Sequence, residues 1–206
     1  MRVNLSWVLA TIQIGSLTPG SLQLIAISLA YINTHLSSFR FLLCKDIINH
    51  RDIGLISFFN NNVCFYILNV YSDSLHSALK YLKDTEVNID NVILMTSDFN
   101  IRDRLWDPSF SFHSSISDNL FIIADSFNLT LSNPTKPCPT RYSDTTGESN
   151  SVIDLMFLCY GSPELDHHSI LPESCLSSDH ALLVINITIS KEIIQMSKFT
   201  LTPKSE

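Results

Sequence analysis

The sequence predicts an α/β or α+β protein in which strands outnumber helices. Three observations carry this. Short apolar runs rich in β-branched and aromatic residues recur at 53–59, 63–70, 91–96, 152–158 and 182–189. Two segments, 72–87 and 115–128, carry apolar residues at helical spacing. The chain is 45% hydrophobic with only five Gly and eight Pro, enough for a sizeable core and unlike a collagenous or Gly/Pro-rich disordered chain. Its 206 residues support one domain, or one domain with a ragged end.

The elements follow in order. Runs 53–59 and 63–70 flank Asn60-Asn61-Asn62 and read as a hairpin with an asparagine turn. Segment 72–87 is a helix with Leu75, Ala78, Leu79 and Leu82 on one face, Lys80 and Lys83 opposite, and Ser72 or Ser74 as cap. Residues 91–96 are continuously apolar, as in a strand covered on both faces. A second helix over 115–128 turns Ile116, Leu120, Ile123, Ala124 and Phe127 inward. Strands at 129–131, 152–158 and 182–189 complete the pattern.

Thirteen Lys+Arg against 20 Asp+Glu give a net charge of −7, which excludes a basic protein that coats nucleic acid. Five cysteines (Cys44, Cys64, Cys138, Cys159 and Cys175) form no CxxC motif and read as buried small hydrophobes in a reducing compartment. Near the N-terminus, apolar stretches 6–14 and 22–32 are separated by Pro19-Gly20. Only Arg2 supplies basic charge there, and neither stretch reaches the ~18 residues of a membrane span. A pair of buried strands, a helix, or a segment outside the domain is preferred over a signal or anchor. Secretion and a membrane partner are not expected.

The chemistry gathers at strand ends. Asp98 and Asn100 follow the 91–96 run, then come Trp106-Asp107-Pro108. Carboxylate and amide oxygens two apart suit a hard metal ion or a reacting phosphate, although a turn started by Asp is the commoner use of this pattern. Asp154 stands in an apolar run, where a carboxylate is costly unless partnered. It could orient the imidazole of His180 and favour its charged form, leaving Asp179 as a second anionic oxygen donor. The plainer alternatives are a cap at Asp179 and a satisfied core histidine at His180.

Taken in order, five clusters resemble the endonuclease/exonuclease/phosphatase superfamily, and most nearly the endonuclease domain of non-LTR (LINE-type) retrotransposons. They are Asn69-Val70-Tyr71, Ser97-Asp98-Phe99-Asn100 with Trp106, Pro139-Thr140-Arg141-Tyr142-Ser143, Ser151-Val152-Ile153-Asp154-Leu155 and Ser178-Asp179-His180. The resemblance covers a domain over 31–190, leaving an apolar segment at 1–30 without a match and a tail at 191–206. It implies a four-layer sandwich of two mostly antiparallel sheets flanked by helices, truncated at the N-terminus so that the first strands are lacking. It also implies metal-dependent phosphodiester hydrolysis with Mg²⁺ (Mn²⁺ as substitute) and DNA as substrate. A reverse transcriptase would belong to the parent element, and the setting would be intracellular, nuclear where functional.

By the same resemblance, Tyr71 contacts the scissile phosphate, Asp98 activates or positions water, and Asn100 holds it or the phosphate. Asp154 orients His180, which stabilises the transition state, and Asp179 helps to bind the metal. Thr140, Arg141 and Ser178 face the substrate. Arg102, Arg104 and Arg141 could supply local cations, although solvated surface is the plainer reading of them.

Two departures stand out. Ser97 replaces the family's usual Gly, which implies mild strain. The metal-binding Glu expected before Tyr71 is absent, since the first Glu of the chain is Glu86. Asp46 and Asp52 precede Tyr71 but read as solvated turn charges. An inactive remnant of such an endonuclease, with DNA binding weak or lost, and a small-molecule phosphoesterase are therefore the alternatives.

Overall fold

The computed structural model describes residues 4–9, 30–31, 40–60, 63–85, 87–132, 138–143, 149–159, 168–171 and 179–188. They form ten strands and two helices in two sheets.

The larger sheet contains β3 (Arg40–Leu43), β4 (Ile53–Asn60), β5 (Val63–Val70), β6 (Val92–Asp98), β7 (Leu129–Leu131) and β8 (Asp154–Cys159), in the order β3-β4-β5-β6-β8-β7. The expected hairpin is β4–β5, in register from Ile53↔Val70 to Asn60↔Val63. Helix α1 (Ser77–Asp84) lies in the crossover from β5 to β6, the one parallel pair of this sheet. The other pairs are antiparallel, so the sheet is mixed and mostly antiparallel.

The smaller sheet has the order β2-β1-β10-β9, from β1 (Asn4–Leu9), β2 (Ala30–Tyr31), β9 (His168–Leu171) and β10 (Leu182–Thr188). Its neighbours are all antiparallel, and β1 pairs with β10 from Asn4↔Thr188 to Leu9↔Leu183. Part of the N-terminal apolar segment thus builds sheet. Ile189 and the tail at 191–206 lie outside the described residues.

The main core lies between one face of the larger sheet and the helices. Leu55, Leu68, Val70, Met95, Leu155 and Phe157 alternate along their strands to meet Ala78, Leu79 and Leu82 of α1 and Leu120, Ile123 and Ala124 of α2 (Ser115–Ser126). Phe157 is fully buried, edge-on to both Phe99 and Phe121. All seven residues of β6 are buried, as its continuous apolar run implies.

Several expectations need correction. Helix α1 starts at Ser77 because the Asp73 carboxylate accepts from the Leu75 and Ser77 amides and the Ser77 hydroxyl, holding the preceding residues as a turn. Leu75 is therefore 82% exposed, and neither Ser72 nor Ser74 caps the helix. Strand β8 starts at Asp154 because side chains take the amides of Val152 and Ile153. Among the cysteines, Cys44 is buried, Cys138 and Cys159 are half-buried, Cys64 near the hairpin turn is exposed, and Cys175 lies outside the described residues. Asp46 is exposed as expected, but Asp52 is buried and paired with Arg51. Ser97 takes an ordinary strand conformation, and among the described non-glycine residues those with positive φ are His76, Asn91, Asn100 and Asn128. No strain is stored at Ser97. Among the described residues no helix is long and apolar enough to cross a membrane.

Candidate active site

Asp98 ends β6 and Asp154 begins β8, and antiparallel register sets the two residues side by side. His180 lies just before β10 of the other sheet, and its Nδ1 is 2.9 Å from Asp154 Oδ2. Its Nε2 is 3.9 Å from Asp98 Oδ2 and 3.7 Å from Asp179 Oδ1. Ligand atoms of Asp98, Asp154 and His180 all lie within 4.8 Å of one another.

Local hydrogen bonds fix this arrangement. Asn100 has φ 51, which turns the chain back so that its amide donates to Asp98 Oδ1 (2.9 Å) and its Nδ2 to Asp98 Oδ2 (3.2 Å). The same Nδ2 donates to the Ser72 carbonyl at 2.8 Å, while the Ser72 amide donates to the Asp98 carbonyl. This ties the segment after Tyr71 to the end of β6. Tyr71 itself is half-buried, and its amide donates to the Asp52 carbonyl.

Residues 140–142 bridge the other two parts of the site. The Thr140 and Arg141 amides donate to the Ser151 carbonyl, the Tyr142 amide to the Asp179 carbonyl, and the Ala181 amide to the Thr140 carbonyl. Thr140 is 1% exposed, and its Oγ1 accepts from the Ile153 and Asp154 amides, both at 3.0 Å. A hydroxyl so placed serves the protein's own backbone, where the resemblance implies a DNA contact. Arg141 Nε lies 2.8 Å from Asp179 Oδ2. Ser178 lies outside the described residues.

Electrostatics follow from burial and crowding. Burial, then the charge of Asp154, pushes the Asp98 carboxyl up to about 7, against the pull of His180, the Asn100 amide and Arg141. Burial alone would lower the His180 imidazole. The hydrogen bond and charge of Asp154, with Asp98 and Asp179, outweigh it and hold the imidazole above its ordinary value. Two carboxylates beside one imidazolium leave an excess negative charge, which a proton on Asp98 or a bound cation would neutralise. The donor set therefore fits a divalent metal: Asp98, Asp154 and His180 offer ligand atoms within 4.8 Å of one another, and the two carboxylates are the hard oxygen donors such ions take.

Sequence reasoning missed Asp107. It is 1% exposed, and its carboxylate accepts from Arg102 Nε (3.0 Å), the Ser109 amide (3.0 Å) and hydroxyl (2.6 Å), and the Val152 amide (3.3 Å). The Asp-Pro-Ser order, a turn in which the carboxylate reaches the amide two residues on, was the available signal. Arg102 is thereby committed within the protein, whereas Arg104 is exposed. A cavity of about 270 Å³, lined among others by Arg104, Trp106, Thr140, Val152, Asp154 and Ile170, opens beside Asp154.

The sequence model of the family described as endonuclease-reverse transcriptase matches residues 54–184, well over half the chain. Among solved structures, the endonuclease domain of TRAS1, a telomere-specific non-LTR retrotransposon, is similar with TM-score 0.62 and 17% identity, over 79% of this chain and 73% of its own. A humanized D. rerio TDP2 with 14 mutations gives TM-score 0.44 and 13% identity, over 75% and 69%. At 17% identity the likeness to the first is one of fold. No curated protein matches the chain.

Proposed function

Because the chain belongs to the endonuclease-reverse transcriptase family, we propose that its site hydrolyses phosphodiester bonds in DNA with a divalent metal, Mg²⁺ foremost. The observation that carries this reading is the convergence of Asp98, Asp154 and His180 on one point, from two sheets.

Hydrolysis needs a positioned water, a proton acceptor and positive charge on the pentacovalent phosphorane. Asp98, oriented by the two N–H groups of Asn100 and with a carboxyl near 7, can receive a proton from the attacking water. His180, whose charged form Asp154 favours, turns Nε2 toward Asp98 and Asp179 and stabilises the developing charge on phosphorus oxygens. Tyr71 and Arg141 flank the site as contacts for the scissile phosphate and its neighbours. Asp154 and Asp179 would hold the metal, whose chemistry when bound is to polarise the phosphate and neutralise the leaving oxygen.

The test is nicking of supercoiled plasmid by the full chain with Mg²⁺ or Mn²⁺, compared with Asp98→Ala and His180→Ala. Metal-dependent nicking lost in both variants supports the reading. Nicking that persists in both, or needs no metal, refutes it. A second reading, a remnant with little activity, is favoured by one observation: no Glu precedes Glu86 in this sequence, where the resemblance implies a metal-binding one before Tyr71. It predicts no nicking with either metal.

A further inference from the structure

Three consecutive backbone N–H groups lead into the site at Asp154, and side chains from other segments take all three. Thr140 Oγ1 accepts from Ile153 and Asp154. Asp107 Oδ2 accepts from Val152 at 3.3 Å. The Ile153 carbonyl accepts from the Phe99 amide. Backbone held in this way gives the Asp154 side chain little freedom to move relative to His180.

Asp107 suits this task. Ser109 satisfies its Oδ1, and Arg102 and Val152 share Oδ2. Arg102 extends the clasp, donating from Nη1 to Ser149 Oγ at 3.1 Å and stacking its guanidinium over Phe110 at 4.9 Å. The loop that follows Asp98 and Asn100 is thus fastened to the segment that carries Asp154. Burial would raise the Asp107 carboxyl, but the Ser109 hydroxyl, the Val152 amide and Arg102 hold it below its ordinary value, so all four donors meet an anion.

We propose that Asp107 is a positioning residue, which sets the Asp154 carboxylate against His180 by holding the Val152 amide. Only its kinetic consequence rests on the phosphodiesterase reading above. A loop staple with no such effect is the competing explanation, and Asp103 supplies the comparison. Asp103 is a buried carboxylate of the same loop, and it accepts from the Leu105 and Ser114 amides and from His113, but from nothing in 149–154.

The experiment is NMR on the metal-free full chain, wild type, Asp107→Asn and Asp103→Asn, with plasmid nicking kinetics alongside. In the wild type the Val152 amide should resist hydrogen exchange, and the His180 Nδ1 proton should resonate far downfield, as expected beside a carboxylate. Asp107→Asn turns an NH₂ toward donors, so Val152 exchange should rise about tenfold or more and the Nδ1 proton should move upfield. Nicking should lose about tenfold in kcat with KM nearly unchanged. Asp103→Asn should lower the melting temperature and leave the Val152 exchange rate and the Nδ1 proton as they are. Two results would overturn the proposal: a wild-type Val152 amide exchanging like an unstructured peptide, which needs no variant, or an Nδ1 proton unmoved in folded Asp107→Asn. Without nicking in the wild type, the two NMR readouts still decide the matter.

Discussion

His180 Nδ1 lies 2.9 Å from Asp154 Oδ2, although 26 positions separate the two residues and they belong to segments leading into different sheets. Both side chains are almost fully buried, so the contact is not diluted by water. One imidazole nitrogen is committed to Asp154, and the other is left toward Asp98 and Asp179. The geometry sets the His180 imidazole between Asp154 on one side and Asp98 and Asp179 on the other, and these anions favour its charged form.

The first prediction concerns that charge. In Asp154→Asn the imidazole loses its nearest anion, and burial is then opposed only by Asp98 and Asp179 at 3.9 and 3.7 Å. Its pKa should drop to its ordinary value or below. An NMR titration of His180 that does not change in this variant would count against the assignment.

A second prediction follows from Asp98. Its folded pKa of about 7 lies above the ordinary carboxyl value of 3.8. A group shifted upward contributes stability that is full below the unfolded pKa and is lost as pH rises through the folded one. In the metal-free protein this stability should therefore fall between about pH 4 and pH 7. Asp98→Asn, which cannot ionise, escapes that loss. Melting curves in EDTA should show the variant gaining a few degrees on the wild type between the two ends of this window. A gap that stays constant or shrinks with rising pH would contradict the buried, crowded carboxyl.

Asp103 gives a prediction about folding alone. Its carboxylate accepts from the Leu105 amide at 3.0 Å and the Ser114 amide at 2.8 Å, and Ser114 in turn caps α2. Asp103→Ala leaves these donors unpaired in a fully buried place. The expected cost is about 2–3 kcal/mol in urea unfolding, with the slope unchanged. A cost below about 0.5 kcal/mol, the range of ordinary surface changes, would show that water replaces the carboxylate.

The last prediction is about metal. The resemblance implies a metal-binding Glu before Tyr71, where this sequence has none, and a ligand set without it should bind metal about tenfold to a hundredfold more weakly than a complete one. Nicking at ordinary Mg²⁺ should be weak or absent, and Mn²⁺ should restore part of it. Robust cleavage that saturates with Mg²⁺ and disappears in Asp98→Ala would mean that another residue has replaced the Glu.

Much of the larger sheet was legible in the chain. The β4–β5 hairpin, β6 and both helices follow from local periodicity, because burying one face or two leaves a direct mark on the apolar pattern. Errors fell where side chains compete with the backbone ladder. Asp73 delays α1, and Asp107 and Thr140 delay β8, since a carboxylate or hydroxyl can take an amide that periodicity assigns to helix or strand. Strands β3 and β9, four residues each, were not foreseen.

The sequence by itself determined the residue types of the site and their order: Asp98 with Asn100, then Asp154, then Asp179 with His180. It also determined the absence of a Glu before Glu86. Only the tertiary structure decided which of these groups meet, because register across β6 and β8 and the approach of the other sheet are non-local pairings. It alone decided that Thr140 holds backbone amides, that Asp52 is buried, and that Asp107 clasps the Asp154 segment. The physical reason is the same in each case. A polar side chain's role depends on which donors and charges burial places beside it, and these come from positions distant in the chain.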